Sequence, residues 1–184
     1  MEQLKVKDLM VPLADYATVS EDASLYDAVV ALGKAQKAFN KDRDKHRAIL
    51  VLDKNGYVIG KLSQMDVIKG LEPNYEKIGS LRDTSRFGFS PDFMRSLIKN
   101  YGLWDRPLRE LCKKAAVKKV SEIMYRPTEG EYVNADDTLD QGIHQLIFGH
   151  HQSLLVMRRK QIVGILRLSD VFREICSMIE SCSI

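Results

Sequence analysis

The sequence predicts an α+β fold made of two pseudo-symmetric β-α-β-β-α repeats packed as a pair, with a helical insertion between them. Three observations carry that expectation. The phrase GKLSQMDVIKGL at 60–71 recurs as GILRLSDVFREI at 164–175. Each copy follows an apolar run, a polar turn and a second apolar run: HRAILVLDKNGYVI at 46–59 and HQSLLVMRRKQIV at 151–163. Further upstream, TVSEDASLYDAVVAL at 18–32 matches YVNADDTLDQGIHQL at 132–146. Self-similarity at this scale means two like units, neither able to bury its apolar face alone.

Each unit opens on a related segment, VKDLMVP at 6–12 and VSEIMYRP at 120–127. A short β-like stretch and an acidic turn then lead to Ser24 or Thr138 and a helix. Apolar residues recur there at helical spacing: Leu25, Ala28, Val29 and Leu32 in one copy, Leu139, Ile143 and Leu146 in the other. The apolar runs that follow read as β-hairpins. Asn55-Gly56 suits a tight turn with positive φ, and the second hairpin is one residue shorter at its turn. The first copy carries about nine extra residues before its hairpin, within the polar stretch GKAQKAFNKDRDK, expected as a helix end or exposed loop. Met10 and Met124 hold the same place in their repeats and are expected in the core.

The organisation expected is therefore repeat 1 at 1–71, an insertion at 72–117 and repeat 2 at 118–184. The insertion is long for a plain connection. SPDFMRSLIKNYGLW reads as a helix with Ser90 as cap and Pro91 at its first position. RPLRELCKKAAVKK reads as another, with lysines gathered where they suit the helix dipole. Cys112, in an amphipathic helix with Leu108 and Leu111, is expected in core or boundary packing.

Composition excludes several classes. With 45% hydrophobic and 29% charged residues and a net charge of +3, the chain reads as an ordinary globular protein. That charge is too mild to argue for nucleic acid, and Lys113, Lys114, Lys118 and Lys119 read as a solvated helix end. No apolar run reaches membrane-spanning length, and MEQLKVKDLM lacks the apolar region of a signal peptide. Three cysteines at no metal spacing predict a reduced, cytoplasmic chain. His144, His150 and His151 lack a cysteine or acidic ligand to complete a metal site. No nucleophile–base pair or phosphate-binding glycine loop points to an enzyme.

The repeated phrase carries the candidate chemistry. Ser63 through Asp66 spells a helix capping box, with Ser as cap and an acid three residues on. The second copy keeps Asp170 but has Arg167 in place of Ser63, and an arginine cannot accept the cap's hydrogen bond. A ligand role and a capping role both remain open for the aspartates. His46 and His151 stand at the same place in their repeats, as ligands or as surface residues at strand ends.

Two such octapeptides, each after a matching hairpin, helix and methionine-containing lead-in, resemble the cystathionine β-synthase-type (CBS) domain family, usually found as a tandem pair. The resemblance covers both repeats and leaves out the insertion. Lys61 departs mildly from the family's apolar position, and Arg167 departs from its Ser/Thr position. The resemblance implies a regulatory module binding an adenosine-containing ligand, AMP, ADP, ATP or S-adenosylmethionine, in the cleft between repeats. It implies Asp66 and Asp170 as ribose ligands. It implies Ser63, His46 and Arg47, with His151, Arg167 and Ser169 in the other copy, as phosphate ligands. Ala17, Thr18 and Ala48, or Tyr132, Val133 and Ser153, would line the base. It further implies a homodimer, no required cofactor and a separate regulated protein. The competing expectation is a scaffold for dimerisation that binds no ligand. Arg167 leaves the second cleft as either a place for an extra phosphate or one occupied by its own guanidinium.

Overall fold

A computed structural model describes residues 3–38, 47–78 and 90–182. The first repeat runs α1 (Val6–Leu9), β1 (Val11–Pro12), β2 (Thr18–Ser20), α2 (Leu25–Ala38), β3 (Ala48–Leu52), β4 (Val58–Ser63) and α3 (Gln64–Leu71). The insertion contributes α4 (Pro91–Tyr101) and α5 (Leu108–Ala116). The second repeat runs α6 (Val120–Ile123), β5 (Tyr132–Asn134), α7 (Leu139–Phe148), β6 (Ser153–Arg158), β7 (Gln161–Arg167) and α8 (Leu168–Ser181). The expected α+β pair of repeats is present.

The sheets show how the repeats are joined. In each, the short first strand lies parallel to the hairpin's first strand: β2 on β3, β5 on β6. A parallel pair needs a crossover, and α2 and α7 supply it. The hairpins β3–β4 and β6–β7 are antiparallel. The lead-in segments, however, cross over. β1 of repeat 1 pairs with β7 of repeat 2, Val11 opposite Ile165 and Pro12 opposite Gly164. Tyr125 of repeat 2 bridges Lys61 on β4, with both backbone hydrogen bonds at 2.9 Å.

The cores follow the crossing. Val6 is fully buried among Val133, Leu139, Leu154 and Leu166 of repeat 2, with Leu4, Leu9 and Met10 packed against them. Val120, Met124 and Ala115 are buried among Leu25, Ile49, Val51 and Leu62 of repeat 1. Met124 is thus a core residue of the opposite repeat, and Met10, half-buried, packs against the core of repeat 2. A third cluster, Val11, Tyr16, Leu50, Leu155 and Ile165, fills the space between the sheets.

The crossing explains the glycine of the repeated phrase. A Cβ at Gly164 would stand 2.5 Å from the Val11 carbonyl oxygen, and one at Gly60 would stand 2.6 Å from Met124 Sδ. Each glycine admits the backbone of the other repeat's lead-in. The turns differ as their lengths suggest. Gly56 takes φ +81° in the first hairpin, where the Asp53 carboxylate accepts from the Asn55 and Tyr57 N–H groups. The shorter second turn puts Arg159 and Lys160 at φ +48° and +65°, a conformation that favours Asn-Gly.

In the insertion, Ser90 Oγ accepts from Phe93 N–H, Pro91 starts α4, and Gly102 ends it at φ +57°. Buried Glu72 accepts from the backbone N–H of Asn74 and Trp104, fastening the insertion to the end of α3. On α5, Leu111 and Ala115 face inward, but Leu108 and Cys112 are exposed. This corrects the expected core or boundary packing: α5 lays a narrow stripe on α2 and α3 and leaves both residues outside it. Val29, one of the helically spaced apolar residues of α2, is likewise exposed.

Candidate functional site

Strand alternation sorts the predicted residues. On β4, Lys61 pairs with Leu50 and Ser63 with Ala48; across β3, Thr18 pairs with Leu50. Cross-strand partners share a face. Leu50 belongs to the cluster between the sheets, so Thr18, Ala48, Lys61 and Ser63 share the inter-repeat face. Ile49, Val51 and Leu62 take the opposite face, toward the helices. In repeat 2, Tyr132 pairs with Leu155 and Ser153 with Arg167, again on the inter-repeat face. Ala17 and Val133 are not with them. Both are packed into the helix-side cores.

In the first copy, Ser63 caps α3 at the end of β4. Its Oγ accepts from Asp66 N–H at 3.2 Å, while Asp66 Oδ2 accepts from Ser63 N–H at 2.9 Å and from its hydroxyl at 2.6 Å. The capping box is formed, an arrangement worth about 0.5–2 kcal/mol to a helix. Asp66 Oδ1 accepts no hydrogen bond among the described residues. Arg47 is exposed beside this junction, and its carbonyl accepts from Gln64 N–H at 3.2 Å. Its neighbour His46 lies outside the described residues.

The second copy keeps the backbone and changes the chemistry. The Gln152 carbonyl accepts from Leu168 N–H at 3.0 Å, the counterpart of the Arg47–Gln64 bond. Arg167 precedes α8 and makes no side-chain cap. Its guanidinium instead grips Asp170 with two prongs, Nε to Oδ2 and Nη2 to Oδ1, the latter at 2.6 Å. Arg173 Nη2 stands 3.5 Å from Oδ1 as well. Arg167 and Asp170 are each 5% exposed. Asp170 therefore has both oxygens engaged, where Asp66 has one. Ser169 is half-buried on the first turn of α8. The His151 ring lies over Gly149, where a Cβ would come within 2.0 Å of Nε2.

Two features escaped the sequence reading. Tyr16 is 7% exposed and lies just after a 3-10 turn, Leu13–Asp15, packed on β7. Burial pushes its hydroxyl pKa up to about 12; the Arg167 charge pulls the other way and Asp170 adds to the rise. Glu131, 2% exposed, accepts from Lys61 Nζ and from the Tyr125 hydroxyl, each at 2.5 Å. Lys61's departure from an apolar pattern was the available signal; Tyr16 gave none. A cavity of about 400 Å³ opens between the two hairpins, lined by Tyr57, Val58, Met157 and Ile162 among others. Tyr132 is the predicted residue on its wall.

The CBS domain family matches residues 6–73 and 120–177, the two repeats without the insertion. The chain belongs to the CBS domain family. Its fold is that of solved CBS pairs. It is similar to a CBS domain-containing protein of unknown function from Bacillus anthracis, at 18% identity and a TM-score of 0.62, covering 96% of this chain and 95% of that one. CBSX2, solved in complex with AMP, is matched at 18% identity and 0.58, over 96% and 98%. Protein MJ1004 from Methanocaldococcus jannaschii is matched at 19% and 0.57 over 95% of this chain, which spans 60% of that one. No curated protein matches this CBS pair in sequence.

Proposed function

We propose that this CBS pair is a regulatory, non-catalytic module that binds an adenosine-containing ligand, AMP, ADP, ATP or S-adenosylmethionine, between its repeats. The observation that carries the reading is the gathering of Thr18, Ala48 and Ser63 on the inter-repeat face of one sheet, with Asp66 bonded to Ser63. A carboxylate can accept from both hydroxyls of a ribose diol, and Asp66 has an oxygen left for one. The N-terminus of α3 favours a phosphate, and Arg47 can add a charge-assisted bond. CBSX2, a neighbour in fold, was solved with AMP.

Calorimetry and thermal shift test this. A ligand at a hundred times its Kd adds about 2.7 kcal/mol, or roughly 5–11 °C for a chain of this size. Asp66→Asn should lose that shift while staying folded. If none of the four ligands moves the Tm of nucleotide-free protein, the reading fails.

A homodimer belongs to the same proposal. Tyr26 on α2, Met65 and Ile68 on α3, Phe148 on α7 and Phe172 and Ile179 on α8 are all at least half exposed. So many large apolar side chains on crossover and terminal helices fit a second copy of the chain. Analytical ultracentrifugation at micromolar concentration should give twice the chain mass of 21.0 kDa. A pair that dimerises and binds nothing would support the scaffold reading instead.

A further inference from the structure

The two clefts differ at positions supplied by opposite repeats. Arg167 stands where Ser63 stands, and its guanidinium covers both oxygens of Asp170. Tyr16 arrives from repeat 1. It is buried in the inter-repeat cluster with Leu155 and Ile165, and its hydroxyl feels the charges of Arg167 and Asp170. The alignment of 18–32 with 132–146 makes Gly130 the counterpart of Tyr16. Gly130 lies in the 3-10 turn Glu129–Glu131, the counterpart of Leu13–Asp15 and its flank. A Cβ there would meet nothing nearer than His151 Nε2 at 4.0 Å. Gly130 adjoins Glu131, whose carboxylate is bonded to Lys61 on β4, two residues before Ser63, so the first cleft has a glycine, a serine and a half-engaged carboxylate. The second has a tyrosine, an arginine and a fully engaged carboxylate.

We infer that the chain takes one adenosine-class ligand rather than two, because Tyr16 and Arg167 fill the second cleft and Gly130 leaves the first one open. This rests on the proposed binding function. It makes Tyr16 and Gly130 the residues that decide which cleft accepts a base and ribose. A guanidinium paired to Asp170 competes for the acceptors a ribose diol would use, and a buried phenol ring takes the volume of a planar base.

Isothermal titration of the full chain with AMP tests it, with circular dichroism as the fold control. The expected stoichiometry is one AMP per chain. Gly130→Tyr, a change in an exposed turn of ordinary φ, should weaken that binding at least tenfold, as should Asp66→Asn. Tyr16→Gly combined with Arg167→Ser should raise the stoichiometry to two. Two AMP per wild-type chain would overturn the inference, as would one AMP that survives both Gly130→Tyr and Asp66→Asn. If wild type binds no AMP but the Tyr16→Gly, Arg167→Ser variant does, the filled second cleft stands and the function proposed for the native chain falls. If neither binds, both fall.

Discussion

Lys61 Nζ lies 2.5 Å from Glu131 Oε2, and the pair joins β4 of one repeat to the turn before β5 of the other. The side chains are 15% and 2% exposed. Lys61 also sits 5.3 Å from the Tyr125 ring centre, so the ammonium is held by a carboxylate and an aromatic face. The repeat's own symmetry supplies the comparison. The counterparts of Lys61 and Glu131 are Ile165 and Ala17, both buried and apolar. Removing one charge strands the other, whereas removing both restores the pattern of the opposite copy. Lys61→Met should therefore destabilise by about 3–5 kcal/mol. Lys61→Met combined with Glu131→Gln should recover most of that loss. Urea denaturation of Lys61→Met, Glu131→Gln and the double variant measures the coupling.

The same pair sets a pH dependence. Burial pushes the Glu131 carboxyl up, but hydrogen bonds from Lys61 and Tyr125, the Lys61 charge and the Thr128 N–H together hold it below the ordinary value of 4.5. A carboxylate lowered on folding stabilises in full above its unfolded pKa. That contribution drains away as pH falls from the unfolded value through the folded one. Urea midpoints taken between about pH 6 and pH 3 should fall more steeply for wild type than for Glu131→Gln. Parallel slopes would show that Glu131 titrates as an ordinary side chain.

The two signature glycines should not be equally sensitive. At Gly164 a Cβ meets a backbone oxygen, which moves only if β1 moves; at Gly60 it first meets the Met124 thioether, a side chain that can rotate. Gly164→Ala should cost about 1–3 kcal/mol, and Gly60→Ala less. Comparison of the two midpoints decides the order.

The second hairpin can be improved. Arg159 and Lys160 are exposed and hold positive φ. Replacing them by Asn-Gly should stabilise the chain by about 1–2 kcal/mol. In scanning calorimetry that is a rise of roughly 2–8 °C.

Much of this fold was legible in the residues. The doubled phrase, the hairpins and the crossover helices follow from local periodicity and turn chemistry, which a sequence displays. The crossing of the lead-in segments was not. Periodicity tells which face of Val6 or Met124 is buried, but not against which repeat. The candidate site residues came from the family resemblance, and strand pairing brings three of them, Ser63, Thr18 and Ala48, to one face. Ala17 and Val133 went to the helix side, since a three-residue strand is too short to reveal its phase. Tyr16 escaped because a buried aromatic looks like core. Lys61 was noticed as a departure without its reason, since Glu131 is distant in sequence and only the packed pair brings them together.

The crossed lead-ins also bear on how the chain is made. Residues 11 and 12 leave the ribosome well before their strand partners at 165 and 164. The first half cannot finish its own core either, because Val120 and Met124 have yet to emerge. Folding of the first repeat is therefore gated by synthesis of the second, and a ribosome stalled between the repeats would hold a half-domain with open apolar surface. Cutting the gene at the insertion would not yield two proteins; it would yield two fragments, each missing the piece that the other carries.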